Sequence, residues 1–241
     1  MLKSMKRTRL HFVLPVLLAS CLVIPAAGQQ KKVPPVFQEI PDEPGLPRVL
    51  VIGDSISIGY TLPLREALKG VANLHRAPEN CASTWHGLDK LDAWLGDGHW
   101  DVIHFNWGLH DLKYIDEKGR LCPPPRGKQV TTIDQYEANL DLLVTRLERS
   151  GATLIWAATT PVPPGARGRF PGDDDKYNYV AARVMKEHGV AVDDLYAFVR
   201  SRRIPHARPG DVHFTKEGSV MLAEKVAAVI QEALKKRKQG P

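Results

Sequence analysis

Apolar and polar positions alternate along the chain in blocks. Five short apolar runs, "RVLVIG" (48–53), "VANLHRA" (71–77), "WDVIHFNW" (100–107), "ATLIWAAT" (152–159) and "VAVDD" (190–194), have strand length and strand composition. Longer amphipathic stretches lie between them. The clearest is 131–149, where Leu140, Leu143, Val144 and Leu147 fall at helical spacing, Thr132, Asp134 and Gln135 supply N-terminal capping chemistry, and Gly151 ends the run. Strands rich in Val, Ile and Leu, each followed by a helix, predict a parallel sheet buried on both faces. The expected fold class is α/β: a three-layer α/β/α sandwich, flavodoxin-like, with a five-stranded parallel sheet. In that architecture every residue just past a strand shares one rim with the others, and ligands bind there.

The first 47 residues break this pattern. Lys3, Lys6, Arg7 and Arg9 precede an apolar run from about 12 to 24 and then small residues up to Gly28. A run of roughly 13 apolar residues is too short to span a bilayer core of about 30 Å, so 1–28 reads as a secretory signal peptide and the protein as secreted or periplasmic. Two processing sites compete. Ala26-Ala27-Gly28 suits plain cleavage, whereas Leu18-Ala19-Ser20-Cys21 is similar to a lipobox, which would anchor the protein through Cys21. From 29 to 47 five prolines and no periodicity indicate a proline-rich linker, leaving 48–241 as one domain.

Charge then loses most of its apparent meaning. The formal +6 includes four basic and no acidic residues from 1–28; without them, 29 basic residues face 27 acidic ones. "KKRK" at 235–238 reads as a solvated helix end, so nucleic acid is not expected as a partner. Cys81 and Cys122 form an even pair for an oxidising compartment, which makes a disulfide one option.

Candidate chemistry sits where strands end. The first strand runs into "GDSISIG" (53–59), where a glycine allows a sharp turn and Ser55 meets free amides at a helix start. Ser57 lies further into that helix and reads as structural. The third strand delivers "NWGLHD", with His110 beside Asp111. Near the C-terminus, "GDVHFTKEG" places Asp211 and His213 just ahead of a final helix. A serine nucleophile needs a base and the base an orienting acid, and these residues supply all three. Asp111 reads as a structural carboxylate. His110, Asp111, Asp211 and His213 lack metal-site spacing, so no metal and no cofactor is expected.

In motif order and spacing the stretch from Arg48 to about Ala233 resembles the SGNH, or GDSL, hydrolase superfamily of esterases. The resemblance implies that Ser55 is the nucleophile, His213 the base and Asp211 the acid. The family's usual Asp-x-x-His is shortened here, with Gly210 at the customary acid position. It also implies an oxyanion hole formed by the Ser55 amide, the amide of Ala82 where the family keeps a glycine, and the side chain of His110 where it keeps an asparagine. The activity implied is a serine esterase acting through an acyl-enzyme on short acyl groups of carbohydrate or other small extracytoplasmic esters. A non-catalytic glycan-binding protein of the same fold, or an acyltransferase using the same residues, is the alternative. Two long segments, 112–130 and 161–175, are candidates for shaping the pocket, with Arg126, Arg167 and Arg169 set to meet an anionic or sugar ligand and Tyr114 and Phe170 to stack on a sugar.

Overall fold

The computed structural model describes residues 33–124 and 126–239, so the expected signal peptide, 1–28, and the lipid-anchor candidate Cys21 lie outside the described residues. Five parallel strands, β1 (Arg48–Ile52), β2 (Asn73–Arg76), β3 (Val102–Phe105), β6 (Thr153–Ala157) and β7 (Ala191–Asp193), form one sheet in the order β2-β1-β3-β6-β7. This is the expected sheet and the flavodoxin-like order. Every residue of β3 and nearly all of β1 are buried, as an apolar strand sandwiched by helices must be.

The crossovers are α1 (Ser55–Ala67), α2 (Thr84–Leu95), α3 (Ile133–Glu148) and α4 (Asp173–Glu187); α5 (Leu195–Arg202) follows β7, and α6 (Lys216–Gln239) comes last. Helix α1 packs on α6, while α2, α3 and α4 pack side by side. The start of α3 is set by a full capping box: the Thr132 hydroxyl accepts from the Gln135 N–H, and Gln135 Oε1 accepts from the Thr132 N–H. Its buried stripe includes Leu140, Leu143, Val144 and Leu147, the positions that the periodicity singles out.

The topology turns on the gap between β1 and β3. From β1 the chain moves outward to β2 and then returns past β1 to β3, so the two central strands leave for opposite edges of the sheet. That switch opens a crevice at their carboxyl ends. Ser55 follows β1 and His110 follows β3, which brings both to it.

Two features depart from simple expectation. The described part of the proline-rich segment, 33–47, lies along the domain as a strap: the Arg65 guanidinium donates to the carbonyls of Pro35 and Gln38, and Asn73 exchanges hydrogen bonds with the Glu43 backbone. Segment 112–130 carries a small antiparallel pair, β4 (Tyr114–Ile115) with β5 (Lys128–Gln129). The disulfide option is corrected: Cys81 and Cys122 are both free. Cys81 is buried, which pushes its thiol up to about 12 and leaves it inert. Among the described residues no helix is long and apolar enough to cross a membrane.

Candidate active site

The turn after β1 is built by Asp54. Its buried carboxylate caps α1 by accepting from the Ile56 N–H at 2.9 Å, which leaves Ser55 as the first residue of the helix. Arg76, at the end of β2, runs beneath this turn and donates to the carbonyls of Gly53 and Glu79 and to the hydroxyls of Ser57 and Thr61. Ser57 is held twice, since its hydroxyl also donates to the Asp54 carbonyl at 2.7 Å. It is therefore structural, while Ser55 points to the rim.

The short Asp-x-His spacing does bring the acid and the base together. Asp211 Oδ1 lies 2.7 Å from His213 Nδ1 and also accepts the His213 backbone N–H at 3.0 Å. Those two donors, the backbone one first, hold the Asp211 carboxyl well below the usual range, at about 2. On the other side of the ring, His213 Nε2 lies 2.8 Å from Ser55 Oγ. A hydroxyl, an imidazole and a carboxylate thus form one continuous hydrogen-bonded chain. The Thr215 hydroxyl accepts from the Gly218 N–H and starts α6 directly behind His213, so the short loop has little freedom to swing away.

The exit from β3 is equally constrained. Asn106 bridges to the Ala157 carbonyl at the end of β6, and the Tyr136 hydroxyl donates to the Trp107 carbonyl. Gly108 passes so close to Thr159 that a Cβ placed on it would lie 2.0 Å from Thr159 Oγ1. Thr159 is branched at Cβ and cannot retreat as a flexible side-chain end would. Gly108→Ala is expected to cost about 1–3 kcal/mol through overpacking, read as a lowered midpoint in thermal or urea unfolding. An unchanged midpoint would show that the turn is looser than these contacts imply.

Asp111 is structural in the sense expected of it, through a partner that the sequence does not reveal. It is fully buried, and Oδ1 accepts both the backbone N–H and the hydroxyl of Thr84, tying the β3 exit to the start of α2. Burial raises its carboxyl to about 6. His110, one residue earlier, has its Nδ1 only 3.1 Å from the Lys113 ammonium. Burial first, then the positive charges of Lys113 and Arg169, hold this imidazole down to about 3, so it is neutral at ordinary pH. An ammonium can only donate, so Nδ1 is the acceptor and the ring proton sits on Nε2. Neutral His110 therefore offers one N–H, as an asparagine amide would.

Ala82 adopts a φ of +46°, in the left-handed region that favours glycine. Its N–H donates to Asn80 Oδ1 at 3.0 Å, so this amide is engaged within its own loop. The Cys81 N–H bonds the Gly53 carbonyl and the Trp107 indole bonds the Cys81 carbonyl, which keeps the loop beside the Ser55 turn. Lys113 and Arg76 are the polar residues that the motifs do not announce. The three-residue interval from His110 to Lys113 is the one signal that points to the first of them. Among the described residues no cluster of three or more His, Cys, Asp or Glu is arranged to hold a metal ion.

No protein-family model and no curated protein matches the chain. Solved structures do match. An acetyl xylan esterase, AlAXEase, is similar with a TM-score of 0.62 at 16% identity, covering 76% of this chain and 99% of the other. A lipase/acylhydrolase from Enterococcus faecalis gives 0.60 at 16% identity over 78% and 96%. The acetylxylan esterase Axe2 from Geobacillus stearothermophilus gives 0.58 at 18% identity over 77% and 93%. At such identities the likeness establishes a shared three-layer fold.

Proposed function

We propose that the protein is a secreted serine esterase, exported by its 1–28 segment. The observation that carries this reading is the chain Ser55 Oγ, His213 Nε2, His213 Nδ1, Asp211 Oδ1, with links of 2.8 and 2.7 Å. Ser55 attacks an ester carbonyl while His213 takes its proton; Asp211 fixes the imidazole tautomer and stabilises the imidazolium. The oxyanion is met by the Ser55 N–H at the start of α1, the His110 Nε2–H, and the Ala82 N–H once it exchanges Asn80 for the substrate oxygen. His213 returns its proton to the leaving alcohol. Water, activated by the same base, then splits the acyl-enzyme into acid and free Ser55.

Short acyl groups on carbohydrate are the proposed substrates. What supports that choice is the fold shared with proteins described as acetyl xylan esterases. The same residues would serve an acyltransferase, and the test separating the two is whether water or an added sugar takes the acyl group.

A fluorophosphonate ester provides a direct check. The Ser55 oxygen should displace fluoride and carry one phosphonyl group, detected by mass on the peptide that contains Ser55. His213→Ala should slow this labelling by roughly 10³-fold or more, because the serine loses its base. Labelling spread over several serines, or unchanged in His213→Ala, would reject an activated Ser55.

A further inference from the structure

Beside His213 lies a set of cations that no step of the chemistry above brings to the substrate. Arg167 and Arg169, from the loop after β6, and Arg208, from the loop before α6, line a cavity of about 420 Å³ together with Leu121, Asp211 and His213. Asp211 is the one acidic residue in that lining, and it is already engaged by His213 and by Arg208, whose Nη2 lies 3.3 Å from Oδ2. Arg169 is half-buried; its Nε donates to the Leu109 carbonyl at 3.1 Å and its Nη1 to the Arg167 carbonyl at 3.5 Å. Among the described residues Arg208 pairs with a carboxylate, whereas Arg167 and Arg169 meet none. Half-buried Arg169 meets the Asp54 and Asp211 carboxylates only at longer range, with burial the larger influence on it, and a planar donor fork of this kind is well matched to an oxyanion.

The position of the cavity says which part of an ester would enter it. His213 gives its proton to the departing oxygen, so the space flanking His213 lies on the side of the leaving alcohol. We propose that the Arg167–Arg169–Arg208 cavity binds a negatively charged group, a carboxylate, phosphate or sulfate, carried on the alcohol portion of the ester, so that the enzyme selects anionic over neutral esters. This rests on the esterase reading and adds the substrate class to it. Three cations lining one cavity beside the base would also draw such a substrate in by long-range attraction, an effect that salt weakens.

The test compares acetyl esters of methyl glucuronoside and of glucose 6-phosphate with that of methyl glucoside. Wild type should favour at least one anionic ester by about tenfold or more in kcat/KM at low salt, with the preference shrinking as ionic strength rises. The faster anionic ester identifies which oxyanion the guanidiniums suit. Arg167 is exposed, so Arg167→Glu leaves the core intact; it should bring the ratio to about one or below and remove its salt dependence. A wild-type ratio of one, or a ratio that Arg167→Glu leaves unchanged, overturns the proposal while the esterase reading stands. If no ester is cleaved, the esterase reading fails instead. Calorimetry of Ser55→Ala with methyl glucuronoside and methyl glucoside then decides the cavity, since preference for the anion supports it and equal or absent binding overturns it.

Discussion

Ser55→Ala should lower kcat on 4-nitrophenyl acetate by roughly 10⁴-fold or more, to the level of a protein that offers only an oxyanion hole. The size follows from what Ser55 does in the geometry. Among the described residues it is the one hydroxyl bonded to His213 Nε2, and its neighbour Ser57 is bound to the Asp54 carbonyl and to Arg76, so Ser57 cannot take over. His213→Ala should fall to a similar level. The double variant should be little worse than either single one, because nucleophile and base act as a unit. The fold should survive Ser55→Ala, since the α1 start is capped by Asp54 and not by Ser55. Equal rates for wild type and Ser55→Ala would remove the esterase reading and favour a glycan-binding protein of the same fold.

Much of this site is legible in the chain because it depends on strand ends. Apolar runs such as "RVLVIG" and "WDVIHFN" are buried on both faces, so their burial follows from composition, and the residues that terminate them must fall on one rim. The Asp-x-His spacing closes through local geometry that the sequence only partly shows. Asp211 Oδ1 accepts the His213 backbone N–H in a tight turn, which sets the same oxygen 2.7 Å from the ring Nδ1. What stays hidden in the sequence depends on contacts to backbone or on single pairs. The strap at 33–47 is held through carbonyls, which every residue has. The β4–β5 pair is two residues long, too short for alternation to register. Arg76 ends a strand as a buried cation, against the expectation for a charged residue, and is stable there because five acceptors surround it, the carbonyls of Gly53, Ala77 and Glu79 and the hydroxyls of Ser57 and Thr61.

The second large effect is expected at His110. His110→Ala should lower kcat by about 10²-fold or more with a smaller change in KM, since an oxyanion donor acts on the transition state. His110→Asn should recover most of the loss, because a side-chain amide presents the same kind of N–H without titrating. Wild type and His110→Asn should therefore share one kcat–pH profile between about pH 5 and 9, as an imidazole held near 3 stays neutral throughout. Stability should separate them instead. Unfolded, the imidazole binds its proton near 6.5; folded, it waits until about 3, so acidification through pH 6.5 favours the unfolded chain. By pH 5 wild type should have lost ~2 kcal/mol relative to His110→Asn, compared with their difference at pH 7.5. Asp111 works the other way, because its raised carboxyl gains a proton in the fold before it does in the unfolded chain, but both proteins contain it and it cancels from the difference. Urea unfolding at the two pH values measures the gap. A gap that does not move with pH would mean that His110 is solvated or charged in the native state, and the neutral Nε2–H donor set by Lys113 would have to be abandoned. A pH-dependent gap with full activity in His110→Ala would leave a buried histidine that the reaction does not use.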